Sequence, residues 1–271
     1  MSVKTRWILL IASLLIFVVA SYAMVVYSLG YQYDFSENSI VRTGSFRIIS
    51  NAGADVYWNG KFDGSTSFLS HSFIKGHILP GDYTLEMKKN GFRSYKKTAN
   101  VRAGFFTDFP KTILLKEEIP SVVVASSSFS IVSASFDYDT NIVKIASESF
   151  SKNKTITSSE QTIVAKDRLL LIHGNEIWIQ WLSDTDYQPF HTVNDLEIIL
   201  KTRSPITKAE WYKDRNHIIF SEGGILWFSE IDVRGGLNVY AISPITGQFW
   251  YEKNDDAVYV VDGKAIKRLQ F

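Results

Sequence analysis

His71, His77, His173, His191 and His217 are the five histidines of the 271-residue chain. Ligation of a metal by imidazole needs several ligands on one face, and a common sequence device for it is an i,i+4 pair on a helix beside a carboxylate. None of the five has that spacing, and four fall in or beside expected turns. Asp137 with Asp139, and Asp184 with Asp186, form Asp-x-Asp pairs that offer hard oxygens to a cation. A calcium loop also requires further oxygen ligands at fixed spacing and a turn glycine, and neither pair is followed by them. Ser126, Ser127 and Ser128 lack the Gly-x-Ser-x-Gly frame that presents a nucleophilic hydroxyl. The Gly-Gly pairs at 223–224 and 235–236 lie between strand-like segments, where hairpin turns account for them and a phosphate loop does not. With no cysteine, thiolate catalysis, cysteine metal sites and disulfides are all excluded. The expectation is a non-enzyme with no catalytic residue, no metal and no cofactor.

Two features are suited to binding. Lys88, Lys89, Arg93, Lys96, Lys97 and Arg102 concentrate positive charge on one hairpin, a surface that could meet an anionic envelope polymer or lipid headgroups. The competing reading is a solvated face that keeps an exposed hairpin soluble. Seven tryptophans and thirteen tyrosines could line a sugar-binding surface, but Trp211, Trp227 and Trp250 recur at strand positions and are expected in the core. A net charge of +1 argues against nucleic acid as a partner. The charge is uneven: residues 43–118 carry eleven Lys or Arg against seven acids, and residues 119–271 carry fifteen against nineteen.

The elements that must position these residues begin with an apolar run. Residues 7–29 contain no charge and are long enough to cross a hydrocarbon core of roughly 30 Å as a helix. Lys4 and Arg6 precede the run, and Asp34 and Glu37 follow it, so a single-pass anchor with its N-terminus inside and the bulk of the chain outside the cytoplasm is expected. A cleaved signal is the alternative, with Ser21 and Ala23 as small residues before a cleavage point. The length of the run favours the anchor.

After a polar tether, 30–42, the segment 43–118 alternates apolar and polar residues over short runs bounded by turn residues. Asn59-Gly60 is the strongest hairpin signal, because both central positions of a type I′ turn need positive φ. Leu79-Pro80-Gly81-Asp82 and Lys89-Asn90-Gly91 supply two more turns. Tyr83, Leu85 and Met87 share one strand face, and Thr84, Glu86 and Lys88 the other. A small β-sandwich is expected around Phe46, Ile48, Val56, Trp58, Leu85 and Phe92.

In order, this segment reads Asn51-Ala52-Gly53-Ala54, Val56-Tyr57-Trp58-Asn59-Gly60, Gly64-Ser65-Thr66-Ser67, Leu79-Pro80-Gly81-Asp82-Tyr83 and Asn90-Gly91-Phe92. Across residues 44–116 this order and spacing resemble the PEGA domain, a β module of exported and envelope proteins. Asn51-Ala52 stands where that family has Pro-Glu, Ser67 where it has Pro, and Phe92 where it has Tyr. The family's turn positions fall here on Gly53, Asn59, Gly60, Gly64, Pro80, Gly81 and Gly91. The resemblance implies a bacterial or archaeal cell-surface scaffold or attachment module and carries no catalytic residue; in such a host the sequon Asn153-Lys154-Thr155 is idle.

Residues 119–135 read as a linker or a lone edge strand. Beyond them a repeat emerges: Trp211-Tyr212, Ile218-Ile219-Phe220, Gly223-Gly224 and Ile225-Leu226-Trp227 are matched 39 residues later by Trp250-Tyr251, Ala257-Val258-Tyr259, Asp262-Gly263 and Ala265-Ile266. A weaker copy lies at Leu169-Leu170-Leu171, Gly174-Asn175 and Ile177-Trp178-Ile179. About 40 residues per strand-turn-strand unit is similar to the blades of WD-repeat or TolB-type β-propellers. Residues 136–271 are therefore expected to form about three blades, an incomplete ring whose open edges could pair with another copy or partner. The fold class is all-β with one N-terminal transmembrane helix. The function expected is a membrane-anchored envelope scaffold contacting cell-wall polymer or a protein; the alternative is an accessory or sensor subunit of a membrane-bound enzyme.

Overall fold

The computed structural model describes residues 2–126 and 161–271. Asp137, Asp139, Ser127, Ser128 and Asn153 lie outside them. The described elements are one helix and a succession of β-strands.

Helix α1 (Val3–Ser28) starts at Ser2, whose Oγ accepts the backbone N–H of Thr5 at 3.3 Å. None of its residues is buried, and its most apolar stretch has a mean hydropathy of 2.7. At 1.5 Å per residue it is about 39 Å long, enough to cross a bilayer. Length and composition suit a membrane anchor and a signal sequence alike.

The polar tether is structured. β1 (Tyr31–Asp34) and β2 (Ser39–Arg42) pair antiparallel from Tyr31 opposite Arg42 to Asp34 opposite Ser39. Tyr31, Tyr33, Ile40 and Val41 favour strand, with Ile40 directly opposite Tyr33, and Asn38 supplies a left-handed residue at the turn, φ 52°.

Two sheets then pack face to face. One has the order β6 (Ser72–Ile78), β3 (Gly44–Ser50), β9 (Phe106–Thr112), with β3 parallel to β9. The other is β5 (Lys61–Ser65), β4 (Asp55–Trp58), β7 (Gly81–Lys88), β8 (Tyr95–Val101). Phe46, Ile48, Val56, Trp58 and Leu85 form the expected core with Met87, Tyr95 and Phe109, while Phe92 packs on its margin. Asn59 and Gly60 have φ of 49° and 77°, the left-handed pair that a type I′ turn demands. Residues 113–115 follow β9 outside any strand. There Leu114 enters the sandwich core and Leu115 enters the core of the next unit.

The remaining strands form three four-stranded antiparallel sheets. The first is β11 (Gln161–Val164), β12 (Arg168–His173), β13 (Glu176–Trp181) and β14 (Leu196–Lys201). The second is β15 (Ile206–Trp211), β16 (His217–Glu222), β17 (Ile225–Glu230) and β18 (Val239–Pro244). The third joins β19 (Phe249–Glu252), β20 (Ala257–Asp262) and β21 (Ala265–Leu269) to β10 (Ser121–Ser126), which pairs with β21. The 39-residue repeat places β16 and β17 in correspondence with β20 and β21. Residues 121–126 are thus a sheet strand and not a linker, and they tie the start of the unit to its end.

The second sheet is sandwiched by the other two. Ile218 and Phe220 pack with Leu170, Ile172 and Ile179 of the first sheet, and Ile219 packs with Val258 and Val260 of the third. Hence the unbroken apolar run of β16, which has both faces buried. Trp211, Trp227 and Trp250 are half-buried and not core residues as expected. The tryptophan that is fully enclosed is Trp181.

Candidate functional site

The basic hairpin is β7 and β8 with their connection, and its charges divide between two environments. Lys88 lies 3.2 Å from Glu86 and over the Tyr57 ring, Lys89 over Phe92, and Arg102 over Phe105. Lys96 also reaches Glu86 at 3.2 Å while remaining largely exposed. These four cations stay at the surface.

Lys97 does not. In β8 the side chains of Tyr95, Lys97, Ala99 and Val101 point inward in strict alternation, which buries the ammonium completely. Its Nζ donates to Glu230 Oε1 at 2.8 Å and to the carbonyls of Asp232 at 2.5 Å and Gly236 at 2.6 Å. An ammonium has three protons, and three acceptors receive them. Its assignment as a polymer or headgroup contact is corrected by this burial.

Glu230 is equally satisfied. Oε1 also accepts from the backbone and side-chain nitrogens of Asn238, and Oε2 accepts from the Tyr95 hydroxyl at 2.9 Å. Burial, and then the Glu230 charge, push the Tyr95 phenol well above its ordinary range, so it remains a donor.

Around this pair the sandwich docks on the connection between β17 and β18. The Thr98 N–H donates to the Gly235 carbonyl at 2.8 Å, the Tyr240 hydroxyl to the Ser94 carbonyl at 3.2 Å, and Arg93 to the Ala241 carbonyl at 2.6 Å. Asn238 exchanges two hydrogen bonds with the backbone of Lys96. The Gly235-Gly236 pair is therefore more than a hairpin turn. Gly235 lies so close that a Cβ there would sit 1.9 Å from the Thr98 carbonyl oxygen.

A second contact lies beside the first. Arg234 is bonded to the Asp232 carboxylate, donates to the Asp108 carbonyl at 2.8 Å and to Gln188 at 2.9 Å, and stacks over Phe109 at 4.4 Å. Gln188 bridges back, accepting from the Asp108 N–H and donating to the Phe106 carbonyl. Sequence reasoning missed Glu230, Arg234 and Gln188. The one local signal was Lys97 sharing a strand face with Ala99 and Val101.

A cavity of about 30 Å³ lies at this junction, lined in part by Tyr95, Arg168, Tyr187, His191, Glu230 and Asp232. It has room for two or three waters at about 10–15 Å³ each. Arg168 is fixed by Asp167, the Tyr187 hydroxyl and the Arg215 carbonyl, so its charge is already met. His217 Nδ1 lies 2.8 Å from Asp214. Burial raises the Asp214 pKa, but the His217 bond and charge and two backbone N–H groups outweigh it and hold the carboxyl below its usual range. Among the described residues no three metal-ligating side chains converge, and Asp184 accepts the Val193 N–H.

Of the turn positions, Gly60, Gly64, Gly81 and Gly91 have positive φ, as does Asn59, whereas Gly53 does not. Pro80 lies between β6 and β7 as the turn signal required. No family model and no curated protein matches the chain, so its function must be argued from these residues and their placement.

Proposed function

We propose that this protein is a non-enzymatic, membrane-anchored scaffold of the cell envelope. In this reading α1 crosses the membrane with its N-terminus inside. The PEGA-like sandwich and the propeller-like unit of three sheets stand outside the cytoplasm as one body, turned toward cell-wall polymer or a protein partner. The observation that carries the reading is the docking of β8 on the β17–β18 connection through buried Lys97 and Glu230. Two units locked together on one helix hold a binding surface at a set position from the membrane. The ionisable groups at their junction are satisfied by one another and so belong to a joint. Lys88, Lys89, Lys96 and Arg102 remain outward and supply the surface for an anionic polymer.

The test is co-sedimentation of the detergent-solubilised full chain with purified cell wall, beside a pull-down from solubilised membranes. Wall retention that is lost at high salt, or when those four cations are neutralised, supports polymer attachment. A stoichiometric protein partner without wall retention supports scaffolding of a membrane assembly. Neither result, or a reporter fused after Phe271 that is active in the cytoplasm, would sink the proposal.

A further inference from the structure

Where α1 meets the sandwich a cavity of about 290 Å³ opens, near the lower end of the roughly 300–1,000 Å³ typical of small-molecule pockets. Gly30, Gly76 and Gly104 contribute to its wall, and their missing side chains help to leave the space. Arg42 and His77 are the ionisable groups of its lining, which contains no carboxylate.

Arg42 differs from three arginines elsewhere in the fold. Arg47, Arg168 and Arg234 are each bonded to a carboxylate. The Arg42 guanidinium instead lies against Gly104, where a Cβ would come within 3.0 Å of it, and it has no hydrogen-bond or ionic partner among the described residues. It is an exposed cation at the mouth of an open cavity, with no carboxylate in the lining beside it.

The position of the cavity along the helix is set by contacts. The His77 ring stacks on Tyr27 of α1, with centroids 4.2 Å apart and planes 4° apart. The apolar run of α1 ends two residues later, so in a membrane this level is the headgroup layer. The carbonyls at a helix C-terminus ordinarily repel anions. Here Val25 and Tyr27 carbonyls accept from Leu29 and Gly30, and the Gly30 carbonyl accepts both the N–H and the hydroxyl of Thr43 at 2.7 Å. Phe105, 58% exposed, and Phe106 form an apolar rim beside the cation.

We infer that this cavity binds the phosphate of an anionic phospholipid headgroup, with Arg42 as its counter-ion and Phe105 and Phe106 at the acyl boundary. The inference rests on the membrane-anchored reading above. A bound headgroup would fix the tilt of the docked β units relative to the bilayer.

The full chain is incorporated into nanodiscs of phosphatidylcholine with phosphatidylglycerol, released in mild detergent, and its retained lipid counted by native mass spectrometry. The wild-type chain retains phosphatidylglycerol in preference to phosphatidylcholine. Arg42→Gln lowers that retention about tenfold, as expected for one charge-assisted contact. Gly76→Val does the same by filling the cavity: its Cβ meets only Ser45 Oγ, at 3.9 Å, so the strand accepts it. Equal retention by wild type and both variants, or no preference between the lipids, overturns the inference while leaving the anchor intact. Displacement of the lipid by millimolar inorganic phosphate assigns the cavity to a free anion and overturns it too. A chain that does not stay in the nanodisc overturns the anchored reading and the inference with it.

Discussion

Lys97 Nζ and Glu230 Oε1 lie 2.8 Å apart, with side chains 0% and 4% exposed, and they join two β units that are distant in sequence. Ion pairs on a protein surface contribute little, because water solvates each partner when they separate. Here separation would leave either charge in a dry interface, so the pair makes undocking costly in a way that apolar contact alone would not.

Replacing Lys97 by Met is therefore expected to destabilise the protein by about 3–5 kcal/mol, the cost of leaving one member of a buried pair uncompensated. Glu230→Leu should cost a similar amount, and the double variant should regain most of the loss. Urea unfolding of the full chain in detergent measures all three. Strictly additive single effects would show that the two side chains do not act as a unit.

Gly235 and Gly236 are adjacent, and both have positive φ, 63° and 102°. An alanine at either meets the left-handed penalty of about 1–2 kcal/mol. Only at position 235 would the methyl also collide with the Thr98 backbone; at 236 nothing lies within 4 Å. Gly235→Ala should thus lower the thermal midpoint well beyond Gly236→Ala and open the Thr98 region to protease. Equal midpoints for the two variants would mean that the docked geometry is wrong.

The parts of this fold legible in the sequence were those encoded locally. Asn59-Gly60 requires left-handed φ wherever it occurs between strands, and the alternation of Tyr83, Leu85 and Met87 carries its own face assignment. The repeated pairs ending in Gly223-Gly224 and Asp262-Gly263 likewise turned into equivalent strand pairs. By contrast β5 and β6 are edge strands with exposed Phe62 and Ile74, so burial leaves little periodic imprint on them. β9 contains Pro110, tolerated because this strand pairs only with β3 and no second strand needs the missing N–H on its other edge. The joint was hidden for a different reason. Lys97 looks like one more cation in a basic run until the partner that neutralises it, in another unit, is brought to its face.

Asn59 also bonds to the neighbouring strand β7, its Oδ1 accepting the Thr84 N–H at 2.9 Å while its own N–H donates to the Thr84 carbonyl. Asn59→Ala keeps the second bond, loses the first and meets the left-handed penalty. A loss of about 1–3 kcal/mol is expected. Asn59→Gly removes the penalty and should recover part of that loss. A glycine variant no more stable than the alanine one, by thermal unfolding, would show that the turn is not left-handed.

His191 gives the joint a dependence on pH near neutrality. Its ring stacks on Trp181 with centroids 3.5 Å apart. Burial lowers its pKa first of all. Asp195, 3.9 Å away, and Asp232 act to raise it, and Arg168 and Arg234 act to lower it, leaving it below 6.5. A histidine that resists protonation when folded binds fewer protons than in the unfolded chain. Its contribution is therefore full above the unfolded value near 6.5 and is lost as the pH falls through the depressed folded value. The thermal midpoint, followed by Trp fluorescence, should drop between about pH 7.5 and about pH 5, a window above the carboxylate titrations. His191→Phe keeps an aromatic ring for the stack and has no proton to gain, so its profile over that window should be flatter. An unchanged slope in this variant would place the titrating group elsewhere.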